Sequence, residues 1–393
     1  MTYVYKARDP LGNEIHGTVE AKNPEDAQQQ LRRDGFQVLE LDEEGDGGLF
    51  PRRVKKAEII YATSQLAIMV ETGITLSTAL DSICEQEQNP TLRRVLLDMK
   101  RAVESGEDFS SALERYPKHF DKTYISLVRA SEATGSLGEM LERIAGYLRK
   151  ELETRGKVKS SLAYPTVMGA IAVVVTIFLL TYILPKFEPL FNRKGAKLPG
   201  ITLFMMAVSK YLIEYWYLCI LGAGAVIGGV FYGKRTLVGR RVIDYLKINL
   251  PIFGPMFRKV TISRSMRTLG TLISSGVSVL DALRLSAEVS GNYYYEQLWY
   301  DVLDHVTSGN QIYERLAKST LFPPVLVQMI HSGEETGRLD FVLEKLSNYY
   351  DGEVEMSLKT TTSLIEPIMI TGMGVMVGGI AIGLLLPIFS MSR

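Results

Sequence analysis

Hydrophobic and polar positions alternate along this chain in a way that divides it into recurring blocks. Between Thr166 and Leu184 no charge interrupts a run of bulky aliphatic residues. A bilayer-spanning helix needs about 20 apolar residues, because no water is available to satisfy the backbone. Leu364 to Leu386 repeats the event. Ser161, Leu162, Pro165, Leu184 and Pro185 match Ser363, Leu364, Pro367, Leu386 and Pro387 at one constant offset. Two apolar segments built on one template predict a duplicated unit.

The polar segments preceding these runs share helical periodicity. Ile59, Thr63, Leu66, Ala67 and Val70 form one stripe, and Leu92, Val95, Leu96, Met99 and Val103 form another. Gly73 and Gly106 stand where helices should end. Residues 57–161 are expected to form a helical bundle whose last helix runs on toward the first span at 162–185. Residues 233–363 repeat the pattern: Gly276 matches Gly73, and Glu334, Thr336 and Gly337 match Glu132, Thr134 and Gly135. Gly135 and Gly337 are read as helix C-caps, with Thr134 or Ser136 capping the next helix. The third span is expected at 364–389, followed by a short tail, 390–393.

Between the two copies, 186–210 reads as a polar loop because of Pro189, Gly195, Pro199 and Gly200, and 211–232 as a second span with aromatic edges. The N-terminal 48 residues predict a small α/β module. Tyr3 to Ala7 alternate like a strand, residues 9–13 supply a turn, and Asn23-Pro24 opens a helix closed by Gly35. A glycine-rich acidic stretch at 42–48 has linker chemistry, the basic run at 51–56 follows with the opposite sign, and 49–56 is read as the linker to the first bundle. The fold class expected is a mostly α membrane protein with two tandem cytoplasmic helical-bundle repeats, three transmembrane helices and this module.

Composition narrows the function classes. Lys and Arg together number 44 and Asp and Glu 44, a balance that does not point to nucleic acid. Mean hydropathy is only slightly positive, so large polar domains accompany the spans. Cys84 and Cys219 form neither a metal spacing nor a disulfide framework, and the first residues lack a signal-peptide apolar core. By the positive-inside rule, Lys150, Arg155, Lys157 and Lys159 before the first span, with Lys234, Arg235, Arg240 and Arg241 after the second, put both bundles and the N-terminus in the cytoplasm. Lys186, Arg193, Lys194 and Lys197 in the intervening loop pull the other way.

Candidate chemistry is sparse. Residues 228–235, GGVFYGKR, imitate a phosphate loop, but Arg235 replaces the magnesium-binding Ser or Thr and no strand precedes it. His16, His119, His305 and His331 have no ligand spacing. Glu366 sits at the start of a span and reads as an interfacial carboxylate rather than an ion relay. Glu151, Glu153, Glu353 and Glu355 read as solvated helix faces. No catalytic, cofactor or metal set is expected. A transporter or channel subunit is the alternative, and it calls for more intramembrane polar residues.

The opening YVYKARDPLGNEIHGTVEAKNPEDAQQQLRRDGF, the glycine-ended helices at Gly73 and Gly276, the ATGSL and ETGRL turns, and the LAYP and LIEP segments carrying Pro165, Glu366 and Pro367 together resemble one family. It comprises the inner-membrane platform proteins of type II secretion and type IV pilus assembly, the GspF/PilC family. The resemblance implies a non-enzymatic protein of the bacterial inner membrane. Its implied partners are a secretion or pilus assembly ATPase, pilin-like subunits, other inner-membrane assembly proteins, the lipid bilayer and further copies of itself.

Overall fold

The computed structural model describes residues 2–8, 14–21, 24–43, 52–192, 199–233 and 235–391. The expected turn at 9–13, the Asn23 cap, most of the linker, and Arg193, Lys194, Lys197 and Lys234 lie outside them. Residues 1–120 and 121–393 form two compact units.

In the first unit, β1 (Thr2–Arg8), β2 (Glu14–Glu20) and β3 (Gln37–Glu43) form an antiparallel sheet in the order β2-β1-β3, with α1 (Pro24–Arg33) between β2 and β3. The β1–β3 register shifts between Lys6 and Ala7. Four helices follow: α2 (Lys56–Glu71), α3 (Leu76–Gln86), α4 (Pro90–Glu104) and α5 (Phe109–Glu114). Their starts are written locally. Thr75 accepts the amide of Thr78, and Asn89 accepts that of Thr91 with Pro90 at the first helical position. Leu66, Leu80, Leu92, Leu96, Met99 and Leu113 make the core of this unit.

The second unit opens with α6 (Lys122–Thr134) and α7 (Leu137–Phe178), and α7 runs into one π-helical turn, Leu179–Ile183, and α8 (Leu184–Asn192). Next come α9 (Gly200–Glu214), α10 (Trp216–Gly233) and α11 (Leu237–Asn249). Helices α12 (Gly254–Ser274), α13 (Val279–Val289), α14 (Tyr293–Thr307), α15 (Ile312–Ala317), α16 (Pro324–Glu335) and α17 (Leu339–Met391) complete it. The series α12–α17 repeats α2–α7 helix for helix, with α13 and α3 both 11 residues long and α14 and α4 both 15.

Two expectations change here. The segment 186–210 is largely helical where described, because Pro199 sits as an N-cap and Gly200 opens α9 instead of extending a loop. The second apolar stretch is not one straight span: α9 and α10 meet at 81° about Tyr215, which leaves the helical region at φ −115°, ψ 30°. Among the described residues two helices, 137–189 and 339–386, are long and apolar enough to cross a membrane, and a third crossing requires the bent pair to act as one.

Among the apolar helices, Leu180, Leu184 and Ile380 form a small core with Met205, Met206, Leu212 and Leu384 against it. A π turn misaligns backbone acceptors. The buried Ser209 hydroxyl of α9 donates to the Leu180 carbonyl at 2.5 Å, and the buried Thr202 hydroxyl donates to the Gly383 carbonyl at 2.7 Å. Such bonds between helices matter where lipid offers no substitute.

Candidate functional site: the junction of the two long helices

The residues expected to carry family motifs lie at turns and at the ends of spans. Gly73, Gly135, Gly276 and Gly337 all take positive φ, between 65° and 91°. At Gly73 the amide bonds the Val70 carbonyl while that of Ile74 reaches Met69, and Gly276 repeats this with Ile273 and with Val277 to Leu272. A Cβ at any of these four glycines would meet nothing within 4 Å, so the dihedral alone selects glycine. Thr134 and Thr336 do not cap the following helix. Thr134 donates back to the Ala130 and Ser131 carbonyls and Thr336 to Ser332, because a helical threonine hydroxyl finds the preceding turn first. Pro165 lies inside α7. Glu366 and Pro367 are exposed in α17.

Sequence reasoning missed Glu334, whose carboxylate accepts the Ile312 amide at 2.7 Å and that of Tyr313 at 2.9 Å. It holds the start of α15 beneath the Thr336-Gly337 turn. The matched Glu132 and Glu334 were the available signal.

The strongest polar chemistry gathers where the polar halves of α7 and α17 meet α12. α12 lies against both long helices. Toward α17, Gly270 lets the backbones close, since a Cβ there would stand 3.1 Å from Leu343 Cβ. One helical turn along, the buried Arg267 donates to Asp351, and Ser263 donates to the same carboxylate oxygen at 2.6 Å.

Toward α7, three contacts occur at successive turns. Arg143 donates to the Ser274 carbonyl at 3.1 Å, the Tyr147 and Thr268 hydroxyls pair at 3.1 Å, and Arg264 donates to Glu151 at 2.7 Å. Glu151 is therefore not a solvated carboxylate. It is 5% exposed and also accepts Arg155 at 2.7 Å. Two guanidinium groups can compensate the loss of water that burial imposes on one carboxylate. Burial pushes the Tyr147 hydroxyl up to about 12, helped by the negative charge of Asp121.

Nearer the apolar runs, Lys157 of α7 bridges Glu153 at 3.0 Å and Glu355 of α17 at 3.1 Å. The bond to Glu153, then that to Glu355, raises the Lys157 pKa, and Lys157 holds both carboxyls below their ordinary range. Lys259 pairs with Glu353 at 2.7 Å. Below them, Met256, Val354 and Leu358 pack with Val158 and Phe257. No group of three or more His, Cys, Asp or Glu side chains fit to hold a metal ion occurs among the described residues. The arrangement is a mechanical joint: two long helices clamped to a common third.

A duplicated bundle feeding a span is also the pattern found by comparison. The family profile described as "Type II secretion system (T2SS), protein F" matches residues 62–185 and again 265–387, and that of its N-terminal domain matches 1–42. The chain belongs to the type II secretion system protein F family. It is 38% identical to the type IV pilus assembly protein PilC of Thermus thermophilus, over 98% of this chain and 97% of that protein. It is 35% identical to PilC of Myxococcus xanthus, covering 99% and 95%, and 30% identical to type II secretion system protein F of Vibrio cholerae, covering 100% and 98%. Type II secretion and type IV pilus assembly are thus the machines of its relatives, and the family is one of structural platforms.

Proposed function

We propose that this chain is the inner-membrane platform of a type II secretion or type IV pilus machine. In this reading it couples a cytoplasmic assembly ATPase to pilin-like subunits joining a filament. Residues 57–161 and 233–363 form the two cytoplasmic domains, 162–185, the bent pair α9–α10 and 364–389 cross the membrane, and the N-terminus is cytoplasmic. The platform works as a homo-oligomer without chemistry of its own. The observation that carries the reading is continuity: α7 has 42 residues and α17 has 53, about 63 Å and 80 Å at 1.5 Å per residue. Each passes from the clamped polar joint into an apolar run without a loop, so a force on the bundle reaches the span through a stiff rod.

Helix α11 fits the same placement. It follows α10 directly and exposes Val238, Val242, Tyr245 and Leu246 on one stripe, with Arg240, Arg241 and Lys247 alongside, as a helix lying in a membrane interface does.

A Pro-Gly pair placed at Lys159-Ser160 interrupts the α7 rod. It is expected to abolish filament assembly or export while the chain still folds and inserts, checked by membrane fractionation beside a secretion or piliation assay. Undiminished assembly would overturn the coupling.

A further inference from the structure

The α7–α12 contact has a quasi-equivalent whose two halves are both uncovered. The first copy offers Arg143, Tyr147 and Glu151 of α7, and the second copy answers with Ser274, Thr268 and Arg264 of α12, running antiparallel. Carried across the repeat, the α7 residues become Lys345, Tyr349 and Glu353 of α17, and the α12 residues become Glu71, Gln65 and Tyr61 of α2.

On α17 the counterpart face is open. Tyr147 is 6% exposed, whereas Tyr349 is 62% exposed. Beside it Val325 and Met329 of α16 line a groove of about 1350 Å³ that also reaches Lys345 and Glu353. On α2, Tyr61 and Ile68 are 63% and 61% exposed on the same helical face as Gln65. Exposed apolar groups of this size on two complementary faces call for a cover. The charges match as well, since the antiparallel register sets Lys345 opposite Glu71.

We propose that the α16–α17 groove of one chain receives the α2 face of a second copy, repeating between chains the contact that joins the two copies within one. The interface is heterologous, head to tail, so it adds chains in one direction and closes as a ring or continues as a helical array. This rests on the homo-oligomeric platform reading above and deepens it.

Cysteine cross-linking in membranes tests the register. Gln65→Cys and Tyr349→Cys are placed on two full-length chains with different tags, both carrying Cys219→Ala. Cys84 stays, because it is buried and burial, with Asp81 nearby, pushes its thiol up to about 11. A short bis-maleimide is expected to join the two tags at least tenfold more than in either single variant alone. Tyr147→Cys with Thr268→Cys in one chain is the internal control for reach.

The proposal is overturned by an absent mixed product beside a linked control, or by Gln65→Cys chains linking to each other. It is equally overturned if one chain bearing both substitutions links only within itself, or if Tyr349→Cys links instead to an assembly ATPase or pilin. Lys345→Glu is expected to weaken self-association about tenfold, as like charges across an interface do, and Glu71→Lys in the same chain to restore it. Light scattering of the wild-type chain in detergent separates the two claims. A monomer removes the oligomeric platform reading, whereas an oligomer unchanged by Lys345→Glu removes only this interface.

Discussion

The two copies of the repeat share their lengths and turns yet use different cores and different polar partners. Leu92 and Leu96 of the first copy are replaced by Tyr295 and Trp299 in the second, where both rings meet Phe322 edge-on at 5.5 and 5.7 Å. Phe120 is the first copy's matching ring, and it too is buried. Each copy caps its corresponding helices alike, Thr75 and Asn89 against Ser278 and Asn292. The polar clamp does not follow the symmetry. Glu151 is buried under two arginines, while its counterpart Glu353 holds one lysine at the rim. Duplication thus preserves the backbone, and the chemistry diverges wherever one copy has a neighbour that the other lacks.

The largest effect should separate the cores. Trp299→Ala removes the centre of an aromatic cluster and is expected to cost about 4 kcal/mol, against about 3 kcal/mol for Leu96→Ala. Thermal unfolding of the purified full-length protein in detergent reads the order. Equal losses would show that the ring cluster contributes no more than its aliphatic counterpart.

Next in size is the divergent clamp. Glu151→Ala strands Arg264 in a partly buried site, a loss of about 3 kcal/mol, since removing one partner leaves a buried charge uncompensated. Glu353→Ala breaks a pair at the rim and is expected to cost under about 1 kcal/mol. A similar fall in thermal stability for both variants would mean that the clamp is symmetric after all.

Much of this comparison was legible in the chain and some of it was not. The glycines at 73, 135, 276 and 337 announced their turns because positive φ excludes side chains whatever the surroundings. The two long apolar runs announced themselves by length. Glu151 did not, because its partner Arg264 is 113 residues away and nothing local distinguishes a buried carboxylate from a solvated one. Thr134 was placed on the right turn with the wrong bond direction, a choice set by geometry within one turn. The bend at Tyr215 lacks a proline or glycine to mark it. Three tyrosines, 211, 215 and 217, pack in tilted contacts around it instead, and aromatics at a span's edge also fit an unbroken helix.

The smallest effect concerns an exposed ion pair from α7 to α17. Lys157 joins Glu153 and Glu355, whereas its counterpart Lys359 reaches only Glu355 on its own helix, at 3.7 Å. Glu153 and Glu355 titrate below their ordinary range, so their contribution is complete above the unfolded carboxylate pKa and disappears as pH falls through the lowered native values. Lys157 titrates above its ordinary value, so its share is complete below the unfolded lysine pKa and is lost only as pH rises through the raised native one. Between those limits the bridge is whole. The difference in thermal stability between wild type and Lys157→Gln should therefore be small but level from roughly pH 6 to 9 and fade as pH falls below about 4. Lys359→Gln should show a smaller difference, because it removes no contact between helices. If the two variants match at neutral pH, the Lys157 bridge adds nothing to the packing that already holds α7 against α17.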